Sequence, residues 1–155
     1  MSQLVWSNDL NTGVDVIDGQ HKRIVEFINQ LGDAQQAKDQ AAIGEIIEGM
    51  VDYTLSHFAF EESLMEDAGY EFLRAHKKVH ELFVKRVAEM QSQFKAGNDV
   101  SGELHALLRR WLFNHIRNDD AAYAGAVRAN MKTLVQDQGK EGWLSRSLGR
   151  FFRRS

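Results

Sequence analysis

The chain contains no cysteine and no proline in 155 residues. Without thiols, a bound metal cannot be held by sulfur, and the redox state of a compartment leaves no mark on the sequence. Any ligands would be imidazole and carboxylate, a set that suits iron, manganese or zinc better than copper(I) or an iron–sulfur cluster. Without proline, helices can run long and unbroken. No apolar run approaches the roughly 20 residues of a membrane span. The opening Met1-Ser-Gln-Leu-Val-Trp6 has no basic segment followed by an apolar one, so no secretory leader is expected and the cytoplasm is the expected location. Internal repeats, low-complexity tracts, glycine-rich phosphate loops and strand-like alternation are also missing. The net charge of −3 hides an asymmetry: Lys140, Arg146, Arg150, Arg153 and Arg154 against Glu141 make the last sixteen residues +4 and the remainder −7. An acidic body argues against nucleic acid as a partner.

What is present is helical periodicity. Residues 1–16 read as an ordered arm, with Trp6 and Val14 available to dock on a core. A first helix is expected from Asp18, acting as its cap, along Ile17, His21, Ile24, Ile28 and Leu31, with Gly32 to Gln40 as its weak end or a loop. A second runs from about Ala41 to Asp67 through Ile43, Ile47, Met50, Thr54, His57, Glu61 and Leu64, and Gly69 ends it. A third covers about Glu71 to Ala96 through His76, His80, Phe83, Val87 and Met90. After the turn signal Gly97-Asn98-Asp99, Ser101 is expected to cap a fourth helix reaching Gln138 through Leu104, Leu108, Leu112, His115, Tyr123 and Val127. Four such helices with short connections predict an all-α, antiparallel up-down-up-down four-helix bundle over residues 1–139, followed by a basic aromatic tail, 140–155.

Five of the six histidines fall on those apolar faces, and two acidic residues join them. His21, His57, Glu61, His76, His80, His115 and Asp120 form a set that a packed core tolerates only around a cation, since burying one unpaired carboxylate costs several kcal/mol. His57/Glu61 and His76/His80 are i,i+4 pairs, each presenting two side chains one turn apart on one face. In an antiparallel bundle the end of the second helix is level with the start of the third, so the groups can meet. His115 and Asp120 are five apart, about 140° on an ideal α-helix, which predicts either a flank approach or a wide, π-type turn. Five imidazoles, two carboxylates bridging a metal pair and one oxide or hydroxide bridge supply eleven bonds. Two octahedral metals take twelve, so one position stays open; the count fits iron better than structural zinc. His105, flanked by Leu104 and Ala106 and without a carboxylate neighbour, is expected at the surface. Glu62, Glu66, Asp67 and Glu71 read as a solvated acidic rim, and Asp119 as a solvent or cap residue.

The segments Gly13-Val-Asp-Val-Ile-Asp18-Gly-Gln-His21, His57-Phe-Ala-Phe-Glu61-Glu62-Ser-Leu-Met65, His76-Lys-Lys-Val-His80 and Trp111-Leu-Phe-Asn-His115-Ile-Arg-Asn-Asp-Asp120-Ala-Ala-Tyr123 closely resemble the single-domain bacterial hemerythrins, in order and spacing, over about residues 4–135. The resemblance implies a non-haem di-iron centre with His76, His80 and His115 on one iron and His21 and His57 on the other. Glu61 and Asp120 would bridge the two, with an oxo or hydroxo group between them. It implies reversible O2 binding at the open position, for storage, delivery or sensing, by a monomer and not an enzyme. A di-iron oxidase or peroxide-consuming enzyme is the alternative, but such carboxylate-rich catalysts use Glu-x-x-His pairs and this chain has none. An oxygen-responsive interaction module is the third class. Residues 142–155 fit either a tail docking Trp143 on the bundle or a basic amphipathic helix touching an anionic membrane or a partner protein.

Overall fold

The computed structural model describes residues 3–138 and 148–152. The regular structure of the described residues is all helical: a 3₁₀ turn at Asn8–Leu10, then α1 (Asp15–Gln36), α2 (Gln40–Asp67), α3 (Leu73–Lys95) and α4 (Ser101–His115). A π-helical turn, Ile116–Asp120, joins α4 to α5 (Ala121–Gln138), so that α4, the turn and α5 together form the fourth long helix of the bundle. Sequential helices pack side by side, and α1 closes the bundle against α4.

Why these segments are helices follows from their apolar stripes. Ile17, Ile24, Ile28 and Leu31 on α1, Ile43, Ile47 and Met50 on α2, Phe83, Val87 and Met90 on α3, and Leu104, Leu108 and Leu112 on α4 are all buried. Burial at about 25 cal/mol per Å² of apolar surface is what holds these helices, because packing of an amphipathic face contributes more to helical stability than intrinsic propensity does. Asp39 caps α2 by accepting from the Ala42 N–H at 3.1 Å. Gly69 (φ +66°) and Gly97 (φ +96°) adopt the left-handed turns that end α2 and α3, a conformation costly for residues with a Cβ.

Several helix ends differ from expectation. Asp18 does not cap α1, which starts three residues earlier. Its carboxylate instead reaches back to accept from the Thr12 N–H and Oγ1, both at 2.8 Å, and from the Gly13 N–H at 3.2 Å. The arm is thereby tied to the helix it precedes, and Val14 is buried as expected. Ser101 is likewise inside α4, its hydroxyl donating to Asp99 at 2.9 Å.

Gly32 does not end α1 either; the helix runs on to Gln36. The glycine instead accommodates His105, which is buried rather than exposed. A Cβ on Gly32 would stand 2.8 Å from the His105 Nε2, so the glycine is a notch that lets α1 and α4 approach around the ring. His105 belongs to the interior stripe Ser101, Leu104, His105, Leu108, and its burial lowers its pKa.

Within the tail, residues 148–151 form a single helical turn, and Leu148, Phe151 and Phe152 pack against the apolar cluster around Val14, Ile17, Phe60 and Tyr123. Phe152 lies between Tyr53 (5.4 Å) and Phe60 (5.9 Å). Trp143 and the expected boundary at residue 139 lie outside the described residues. No helix among those described is long and apolar enough to cross a membrane.

Candidate metal centre

The seven residues singled out by spacing converge, and all seven are buried. Donor atoms of Glu61, His76, His80, His115 and Asp120 lie within 4.8 Å of one another, and those of His21, His57 and Glu61 do the same. The two carboxylates divide their oxygens between these groups. Glu61 Oε1 faces His76 Nε2 (3.2 Å) and His80 Nε2 (3.0 Å), whereas Oε2 faces His57 Nε2 (3.3 Å) and His21 Nε2 (3.6 Å). Asp120 Oδ1 faces His76 Nε2 (3.1 Å) and His115 Nε2 (3.2 Å), and Oδ2 faces His21 Nε2 (3.0 Å). One cluster therefore has three imidazoles and two carboxylate oxygens, and the other two imidazoles and two oxygens.

The π turn makes this possible. The Ala121 N–H donates to the Ile116 carbonyl, five residues back, and that wider turn carries Asp120 round to the face of His115. Of the two geometries expected at this position, the wide turn is the one adopted.

The outer nitrogens fix what the inner ones offer. His80 Nδ1 lies 2.8 Å from Glu62 Oε2, His115 Nδ1 2.7 Å from Asp119 Oδ2, and His57 Nδ1 2.7 Å from Gln20 Oε1. Carboxylate and amide oxygens only accept, so each of these Nδ1 atoms donates and carries the ring proton. The Nε2 atoms then turn lone pairs inward, and those of His80 and His115 stand 3.2 Å apart with no proton to share. Asp120 Oδ1 faces the His76 and His115 Nε2 atoms and Oδ2 that of His21, at 3.0–3.2 Å. A buried ring of lone pairs and anions is stable only around cations, so this donor set fits a metal pair.

Without metal, the charges must be balanced by protons. Burial works against a charged His21 or His76, but the Asp120 and Glu61 carboxylates outweigh it and raise both to about 9. Burial lowers His57. Glu61 stays well below the usual carboxylate range because His57, His21 and His76 overcome its desolvation, and Asp120 is lowered by His115, His21 and His76 in the same way.

Four contributors escaped the sequence reading. Glu62 is not part of a solvated rim, and Asp119 is not a free cap; each orients a histidine. Gln20 does this for His57. Tyr123, expected only as an apolar-face residue, is fully buried and donates from its hydroxyl to Glu61 Oε2 at 2.7 Å. The i,i+4 spacing of His115 and Asp119 was a usable signal; the contacts of Gln20, Glu62 and Tyr123 cross between helices and left none. Aromatic rings complete the setting, with Phe58 stacked on His80 at 3.8 Å and Trp111 on His115 at 4.4 Å.

Fold and site together define an antiparallel helical bundle with a buried imidazole–carboxylate centre for cations. Comparison with known proteins narrows this. Residues 12–127 match the hemerythrin HHE cation binding domain. The chain is 68% identical to a bacteriohemerythrin of Pseudomonas aeruginosa over 98% of its own length and 99% of the relative's. It is 57% identical to one of Stenotrophomonas maltophilia over the same shares. A crystal structure of wild-type hemerythrin superposes with a TM-score of 0.78 at 32% identity, covering 81% of this chain and 98% of that one. The chain belongs to the hemerythrin family.

Proposed function

We propose that the chain binds O2 reversibly at a di-iron centre, with His76, His80 and His115 on one iron, His21 and His57 on the other, and Glu61 and Asp120 bridging. The observation that carries this reading is the split of the two carboxylates. Each sends one oxygen to a three-imidazole cluster and one to a two-imidazole cluster, so the second is a donor short. Iron held there supplies the reversible electron transfer that O2 binding needs.

The remaining tasks fall to the protein. Ile24, Phe58, Leu112 and Ile116 are buried in one apolar cluster beside the centre. They exclude water and anions, while O2 has no hydrogen bonds to lose on entry. His57, His80 and His115 have both ring nitrogens committed, so they are not available as general acids that would drive O–O cleavage. That supports a carrier or store over an oxygenase.

Two measurements test the reading. Elemental analysis is expected to give two irons per chain, falling in His57→Ala; one zinc per chain would overturn it. The reduced protein mixed with O2 is expected to develop a visible absorption band that disappears under vacuum. Prompt oxidation to the ferric state with release of hydrogen peroxide would show an oxidase instead.

A further inference from the structure

Beyond the centre, α2 and α3 do not close completely against each other. Between them is a pocket of about 120 Å³, reached also by Leu108 of α4. Met50 and Leu108 are buried at its floor, while Leu55 and Ala88 are exposed at its mouth. Thr54 supplies its one hydroxyl; every other lining side chain is hydrocarbon or thioether. A buried water needs two to four polar partners, which these walls do not provide. An apolar cavity of about 150 Å³ lined by similar residues stays dry and takes up benzene or xenon.

Its position gives the pocket a use. Thr54 lies one turn before His57 on α2. Phe83, in the pocket wall, meets Phe58 edge-on at 6.0 Å, and Phe58 lies flat on His80. A layer of aromatic rings therefore separates the pocket from the imidazoles.

We propose that this pocket is a second binding site, for a small apolar molecule, and that dioxygen occupies it in passing between solvent and the centre. The second part rests on the O2-binding reading above. Size and polarity both match: O2 fits with room to spare, and the walls favour a molecule that forms no hydrogen bonds over water. Rotation of the Phe58 and Phe83 rings is the step that passes the ligand on. Because entry and exit cross the same barrier, obstructing the pocket changes both rates and leaves affinity alone.

The test uses the iron-loaded full chain and xenon. Xenon dissolved under pressure is expected to shift the methyl resonances of Leu55, Val84 and Leu108, and Ala88→Leu, which plugs the exposed mouth, is expected to abolish those shifts. In the same variant the O2 association and dissociation rates, followed by flash photolysis, are expected to fall by the same factor. Val84→Phe, filling the pocket from α3, should reproduce the effect. Absent xenon shifts, or unchanged rates in both variants, would overturn the proposal. Unchanged rates with a reduced sedimentation coefficient in Ala88→Leu would overturn it too, by assigning the mouth to a second copy of the chain. Xenon binding in a protein that takes up no O2 would uphold the apolar site and sink the reading of the centre.

Discussion

His115 shows how one residue of the centre is constrained. Asp119 holds its Nδ1 proton, Trp111 covers one ring face, and Asp120 Oδ1 stands 3.2 Å from its Nε2. Remove Asp119 and the ring can rotate and change tautomer, although nothing in the core is lost because that side chain is substantially exposed. Asp119→Ala is therefore expected to weaken metal binding about 10- to 100-fold with unchanged helicity. Glu62→Ala should do the same through His80. Competition against a chelator, read beside far-ultraviolet circular dichroism, measures both; full metal affinity in the two variants would show that the outer carboxylates are incidental. His105 makes the opposite point. It has the chemistry of a ligand, but it is buried against the Gly32 notch, outside both donor clusters.

Among the helices, α1 carries two glycines whose surroundings differ. Gly19 has nothing within 4 Å of a Cβ, whereas at Gly32 the His105 ring is in the way. Gly19→Ala is expected to stabilise the fold by about 0.5–1 kcal/mol, because the helix gains propensity without a clash. Gly32→Ala gains the same propensity but overpacks the α1–α4 contact, and a net loss of about 1–3 kcal/mol is expected. Urea denaturation of the two variants separates propensity from packing, and equal midpoints would refute the notch. The π turn is the other local departure from regularity. Such turns are rare inside helices and frequent at functional sites, and this one places Asp120 between His115, His76 and His21.

At the level of the whole molecule, a metal held by these donors would compete with protons for one interior. In the metal-free protein His21 and His76 bind protons with pKa about 9 against 6.5 for an ordinary histidine, and His80 is raised as well. Their contribution to stability is complete below pH 6.5 and is lost as pH rises towards 9; His57, lowered by burial, opposes them by one group. Glu61 and Asp120, both lowered, contribute above their ordinary values of 4.5 and 3.8 and fail on acidification. Chelator-stripped protein is thus expected to melt at its highest temperature in mildly acidic solution and to lose stability up to pH 9. Iron needs the imidazoles unprotonated, so the gap in Tm between loaded and stripped protein should widen over the same range. A stripped protein that grows more stable towards pH 9 would contradict this account. The tail contributes at this scale too. Phe152→Ala uncovers Phe60 and Tyr53, and a loss of up to about 1.5–3 kcal/mol is expected by thermal denaturation.

The sequence by itself determined the four helices and the seven buried imidazoles and carboxylates that converge between them. Both are local: apolar residues at helical spacing define a face, and an acid or imidazole on that face needs a partner wherever the face ends up. Even the wide turn at Asp120 was legible as one of two geometries, because five residues do not fit an α-helical face. Only the tertiary structure decided how the donors are shared, which carboxylate oxygen meets which histidine, and that Gln20, Glu62 and Tyr123 complete the set. It also moved His105 inside and laid Phe151 and Phe152 on the bundle. Those outcomes depend on the depth at which neighbouring helices meet, and helical periodicity records direction around an axis, not position along a neighbour's.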